Sequence, residues 1–196
     1  MISKKAHNVA VAWFGVIAAA VFTISWISAS ALDLAWVFGQ DMISDLGVAD
    51  GSKDYFNYGC ILTGIFAALF GFGNAIYSNN KLMAAGGIIF IICAAFLILI
   101  GLVPEDAGAK HDYIANIFVL FALISIILMS AGAWADGHEF IAGITLVILC
   151  TLIGVYISSD LAMLEGWAVI GALFWIVIQS VECMIRKPCQ KSISKV

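Results

Sequence analysis

The densest chemistry in the chain lies between positions 105 and 112, where Glu105, Asp106, His111 and Asp112 place three carboxylates and one imidazole within eight residues. An imidazole titrates near neutral pH, carries protons and binds metals, and a neighbouring carboxylate can orient it. His111, Asp112 and Asp106 are therefore the candidate ligands for a divalent cation. Oxygen-rich surroundings suit a hard ion such as calcium, whereas zinc normally wants more imidazole or thiolate than one His supplies. Neither paired His spacing nor an acidic calcium-loop pattern accompanies them, so a solvated acidic rim is the competing reading. Ser44 beside Asp45 adds a hydroxyl next to a carboxylate, with Asp41 close by in sequence. Asn57 follows Asp54 by three residues and Asn116 follows Asp112 by four, spacings that put each pair on one helical face.

These residues punctuate a chain that is 63% hydrophobic and only 11% charged, far below the roughly one quarter charged of a soluble domain. Apolar runs at about 8–30, 55–77, 82–103, 111–134, 140–158 and 164–185 are each close to the ~20 residues that a helix needs to cross hydrocarbon. In lipid, every backbone polar group of such a run must be satisfied internally, and helices do this. The expected fold is all-α: one polytopic membrane domain over residues 1–196, a single bundle of six transmembrane helices. An apolar first run of this length exceeds the core of a signal peptide and is expected to stay as a helix.

Charge sorts by side. Lys4, Lys5, Lys81, Arg186, Lys187, Lys191 and Lys195 fall on one face of such a bundle, and only Lys53 and Lys110 on the other. Basic residues near span ends are retained in the cytoplasm, so both termini are expected there, in a multi-pass protein of the cell membrane. Ten of the thirteen acids then lie outside, from Asp33 to Asp54, Glu105 to Asp112, and at Asp160 and Glu165. The seven candidates Ser44, Asp45, Asn57, Glu105, His111, Asp112 and Asn116 share that depth, and the expectation is one outer vestibule walled by spans two and four. The long connection 31–54 carries Trp36, Val37 and Phe38 either as an interfacial helix or packed over the bundle mouth.

The three outer connections resemble one another weakly, around Ser44-Asp45, Glu105-Asp106 and Ser159-Asp160; capping and turn formation account for this as well as an ancestral repeat does. Glycines within the spans allow close helix approach, without a strict Gly-x-x-x-Gly pair that would specify a dimer, so the oligomeric state is left open. Cys60, Cys93, Cys150 and Cys183 lie in spans and read as buried thiols. Thr63, Thr145 and Thr151 can bond to their own helix backbone, and Glu182 has Arg186 four residues on as a partner.

Several function classes lose support. There is no Gly-x-Ser-x-Gly elbow, no His-Glu-x-x-His zinc signature, no phosphate-gripping glycine loop and no basic patch for nucleic acid. A coupled solute transporter would carry charge at mid-membrane, and no span shows it, which leaves transport as the weakest alternative. An intramembrane lipid hydrolase or acyl-transfer enzyme using His111 with Asp45 or Asp112, around a metal or not, is the middle one. Binding or sensing of lipid head groups by the outer acidic and His residues is the leading expectation, with membrane lipids as partners.

The run Asp41-Met42-Ile43-Ser44-Asp45-Leu46-Gly47, followed by Phe56 and Gly59, resembles an Ile-Ser-Asp-x-Gly signature of damage-regulated autophagy modulators and GPI-anchor-remodelling membrane proteins. Gly86-Gly87, Gly101, Pro104 and His111-Asp112 with Asn116 look like that superfamily's second half. The overall layout is more closely similar to an uncharacterised six-span family of archaeal and bacterial membrane proteins. The resemblance implies six helices and a connection to membrane lipids or stress. Those prokaryotic relatives often pair two His where this chain has His111-Asp112, which favours a His-Asp pair over a two-His metal site.

Overall fold

A computed structural model describes residues 4–78 and 80–185. It forms six helices: α1 (Lys4–Leu32), α2 (Lys53–Tyr77), α3 (Lys81–Leu102), α4 (Ala109–Ala135), α5 (Glu139–Ser158) and α6 (Leu161–Ile185). All six are long and apolar enough to cross a membrane, and no strand occurs among the described residues. Helices begin and end within a few residues of the apolar runs because charged and turn-forming residues bound those runs. Arg186, the other basic tail residues and Cys189 lie outside the described residues, as does Asn79. The expected Glu182–Arg186 pair falls with them.

Each helix packs against its neighbours in sequence, and α6 returns to α1, closing the ring. One core cluster holds Phe70, Phe90, Met83, Met129 and Trp175 towards the end that carries the termini. A second holds Phe22, Ile43, Leu46, Phe56 and Ile100 at the opposite end, called here the loop end. The α2–α3 seam is tightest. A Cβ on Gly71 would stand 2.8 Å from the Gly87 carbonyl, and one on Gly87 would stand 2.7 Å from the Gly71 carbonyl. In hydrocarbon, such backbone contact supplies the dispersion attraction that holds helices together. The glycines of α5 do not share this role: Gly143 and Gly154 have open space where a Cβ would be, because α5 lies less deeply in the ring than the other helices.

At the terminal end, Asn80 joins two helix ends. Its Oδ1 accepts from the Leu82 and Met83 amides, capping α3, while its Nδ2 donates to the Gly132 carbonyl and to Asp136 Oδ1, both at 3.0 Å. Trp175 Nε1 donates to Ser130 Oγ at 3.2 Å and to Thr145 Oγ1 at 3.1 Å, tying α6 to α4 and α5. His138 Nε2 lies 3.1 Å from Glu182 Oε1, linking the α4–α5 turn to α6. Thr145 and Thr151 bond to backbone as expected, but Thr63 Oγ1 is buried with no partner among the described residues, so its helix does not satisfy it.

The segment between α1 and α2 contains no interfacial helix. Trp36 Nε1 donates to the Met42 carbonyl at 2.8 Å, and the aromatic stretch folds against α6, where Phe38 meets Gly166 and Met163 meets Gly39. Gly39 sits at φ 77°, a conformation that admits glycine readily and few other residues. The chain then enters a 3-10 turn, Ile43–Gly47, whose Ile43 and Leu46 are buried in the loop-end core. Of the two arrangements open to this segment, it takes the one that covers the bundle mouth.

Candidate functional site

The Ile43–Gly47 turn is stiffened by side chains that bond to the backbone in and beside it. Asp45 Oδ2 accepts from the Met42 amide at 2.8 Å, Ser52 Oγ donates to the Leu46 carbonyl at 2.8 Å, and Asn57 Nδ2 donates to the Gly47 carbonyl at 2.9 Å. Ser44 and Asp45 are thereby fixed above the mouth. A second 3-10 turn, Glu105–Ala107, follows Pro104 and brings Glu105 against them. The Glu105 carboxyl has the Ser44 hydroxyl and the Asp45 carboxyl as polar neighbours, and its Oε2 is buried with no hydrogen-bond partner among the described residues. Burial pushes the Glu105 pKa above the ordinary carboxylate range; Ser44 and His111 pull it down, and Asp45 pushes it further up.

His111 lies in the first turn of α4 and is 5% exposed. Its Nδ1 sits 2.8 Å from the Val103 carbonyl. A carbonyl can only accept, so Nδ1 carries the proton and, in the neutral ring, Nε2 keeps its lone pair. Nε2 has no partner among the described residues. The geometry is that of a neutral imidazole held in one tautomer by a backbone carbonyl.

The fourth group is Glu165, in the second turn of α6, which sequence reasoning does not single out. Its Oε2 accepts from the Ile43 amide at 2.6 Å. It interacts electrostatically with Glu105, Asp45 and His111. Four elements thus converge: the 43–47 turn, the 105–107 turn, α4 and α6. Glu165 appears in the sequence as one more outer acid, and its one-turn depth inside a span is the signal that marks it, the same depth that singles out Asn57 and Asn116.

Ser44, Asp45, Glu105 and His111 are therefore brought together, and Asn57 lies beneath the same turn with its Oδ1 buried and unpartnered among the described residues. Asp112 and Asn116 are not. Both are exposed, and Asn116 donates back to the Asp112 carbonyl at 2.7 Å. His111 turns inward, so Asp112, some 100° further round the helix, turns out. Asp106 is likewise exposed. Among the described residues, no three His, Cys, Asp or Glu side chains are arranged to hold a metal ion. Spans two and four were the expected walls; α6 is a third.

Among the described residues, no basic side chain enters the cluster. Lys53 is held by Asp50 at 2.8 Å, an exposed pair whose hydrogen bond keeps the Asp50 carboxyl below its usual pKa. Lys110 is exposed and lines a groove of about 440 Å³ with Val103, Ala109, Tyr113 and Ile114.

No curated protein and no solved structure matches the chain. Residues 16–182 match the family described as a protein of unknown function (DUF998), which covers most of the six-helix bundle, and the chain belongs to that family.

Proposed function

We propose that the protein binds the ammonium head group of a membrane phospholipid at its loop end, as a lipid-binding or lipid-sensing protein of the cell membrane with that end outside. The reading is carried by one observation: the Asp45, Glu105 and Glu165 carboxyls interact electrostatically with one another and lie near a 95%-buried His111, with no Lys or Arg of the described residues among them. Partly desolvated carboxylates raise one another's energy, and a cation relieves them. An ammonium offers up to three donors and needs no fixed coordination geometry, which suits a cluster not shaped for a metal. The segregation of basic residues supports the orientation, and the bundle's lipid-facing surface supports the supply of ligand.

Native mass spectrometry from nanodiscs tests it. Phosphatidylethanolamine should be retained over phosphatidylglycerol, and the double variant Glu105→Gln, Glu165→Gln should lose that preference while keeping its fold. Equal retention of both lipids by the unaltered protein would discard the reading.

The free Nε2 of His111 favours a second reading, lipid hydrolysis or acyl transfer with His111 as general base. Ser44, 7% exposed and beside Glu105, is the hydroxyl this reading would use. Lipid turnover that disappears in both His111→Ala and Ser44→Ala would establish it in place of simple binding.

A further inference from the structure

Among the described residues the loop end carries two lysines, Lys53 at the start of α2 and Lys110 at the start of α4. Their surroundings differ. Lys53 Nζ is held by Asp50 at 2.8 Å and also interacts electrostatically with Asp54 and Asp106. Lys110 is exposed and makes no ion pair among the described residues. Asp112, two residues on, is turned about 200° round α4 from it.

The unpaired charge stands over a cavity. Val103 ends α3, the Glu105–Ala107 turn follows, and Gly108, at φ 59°, sends the chain back into α4. Beside this connection lies the groove of about 440 Å³ bounded by Val103, Ala109, Lys110, Tyr113 and Ile114. Its size falls within the ~300–1,000 Å³ of small-ligand sites. Lys110, Tyr113 and Ile114 stand three and four residues apart, so ammonium, phenol and aliphatic wall share one face of α4. Their order down the helix matches the bilayer boundary, with the charge at the water, the phenol at head-group level and the hydrocarbon beneath. Val103 and Ile114 also separate the groove from the acid cluster. The Val103 carbonyl accepts from the inward-turned His111, and Ile114 packs against the loop-end core.

We propose that this groove binds the phosphodiester and the upper acyl chain of a phospholipid, with Lys110 donating to the phosphate oxygens and Val103, Tyr113 and Ile114 receiving the chain. Charge complementarity selects the occupant: the one charge on the lining is positive, the remaining walls are apolar, and Tyr113 is exposed on the side that faces lipid. The site takes an anion where the acid cluster takes a cation, and it does not rest on the head-group reading. A phosphodiester is common to phosphatidylethanolamine and phosphatidylglycerol, so the groove adds equally to both and leaves the preference expected of the cluster unchanged.

The test is photo-crosslinking of the full chain in nanodiscs. One probe is phosphatidylglycerol with a diazirine near the glycerol end of one acyl chain; the other is diacylglycerol with the same chain and no phosphate. Phosphatidylglycerol adducts should fall several-fold more on Val103, Tyr113 and Ile114 than on Tyr55 and Tyr58, which are exposed on α2 at the same end, near the neutralised Lys53. Lys110→Gln should cut the groove adducts several-fold at an unchanged melting temperature, Lys110→Arg should retain them, and Lys53→Gln should leave them as they are. Diacylglycerol should label the groove several-fold less. Adducts spread evenly between the groove and Tyr55 and Tyr58 would mean an unselective lipid annulus and overturn the site. Adducts undiminished in Lys110→Gln, or equal from the two probes, overturn the role of Lys110; the probe comparison needs no variant to fold. Phosphatidylglycerol has no ammonium, so each of these outcomes is separate from the fate of the head-group reading.

Discussion

The amide of Ile43 donates to Glu165 Oε2 at 2.6 Å across 122 residues of sequence, fastening the covering turn of the mouth to the last helix. Removing the acceptor leaves a buried amide without a partner, at a cost of about 1–3 kcal/mol. Glu165→Ala should therefore loosen the 33–52 segment, and hydrogen exchange at Ile43 and its neighbours should quicken while α2 and α3 stay protected. Glu165→Gln keeps an acceptor oxygen and should change exchange little.

Acid should stabilise the protein through Glu105. Its folded pKa is raised above the ordinary 4.5, so the folded state holds the proton more tightly than the unfolded chain does. That contribution is fully present below 4.5 and is lost as pH rises through the raised folded value. Melting temperatures taken from neutral pH downwards should rise across this window, and Glu105→Gln should flatten the slope and melt higher at neutral pH. Identical pH profiles for the two proteins would contradict the burial of this carboxyl.

Two glycine substitutions should move stability in opposite directions. Gly87→Ala drives a methyl to within 2.7 Å of the Gly71 carbonyl and the Ala75 amide nitrogen, backbone atoms that cannot step aside, and should cost about 1–3 kcal/mol. Gly154→Ala meets nothing within 4 Å and should gain about 0.5–1 kcal/mol from helix propensity. Unfolding equilibria in mixed detergent would compare them.

Trp175, Ser130 and Thr145 form a closed set of hydrogen bonds within the membrane region. Such bonds average about 0.6 kcal/mol, because unfolded helices in lipid also find partners. A double-mutant cycle of Trp175→Phe and Thr145→Val should give a coupling of that order, and a coupling of zero would mean that the indole is held by packing alone.

Cysteine labelling should place the loop end outside. Asp50→Cys, on an exposed turn, is expected to react with an impermeant maleimide added to intact cells, and labelling only after lysis would reverse the orientation.

What the sequence makes legible follows from how each feature is encoded. Six spans are visible because lipid imposes a composition and a length on every one of them. His111 and Glu105 are visible because a lone His among acids is conspicuous in an apolar chain. Glu165 is not, since its meaning depends on where α6 returns against α1 and under which turn, and that is a long-range packing fact. Asp112 and Asn116 mislead for a related reason: their four-residue spacing correctly puts them on one face, but spacing cannot say that His111 and not they would turn inward.

Asn80 carries a consequence of another kind. Both of its amide hydrogens and its oxygen are committed, to the end of α4 and the start of α3 respectively. Deamidation would replace the donating nitrogen by a second oxygen, facing a carbonyl and the Asp136 carboxylate. The lesion adds less than one dalton of mass and introduces repulsion where two helices are joined, so chemical ageing of this single side chain would undo the terminal end of the α3–α4 hairpin.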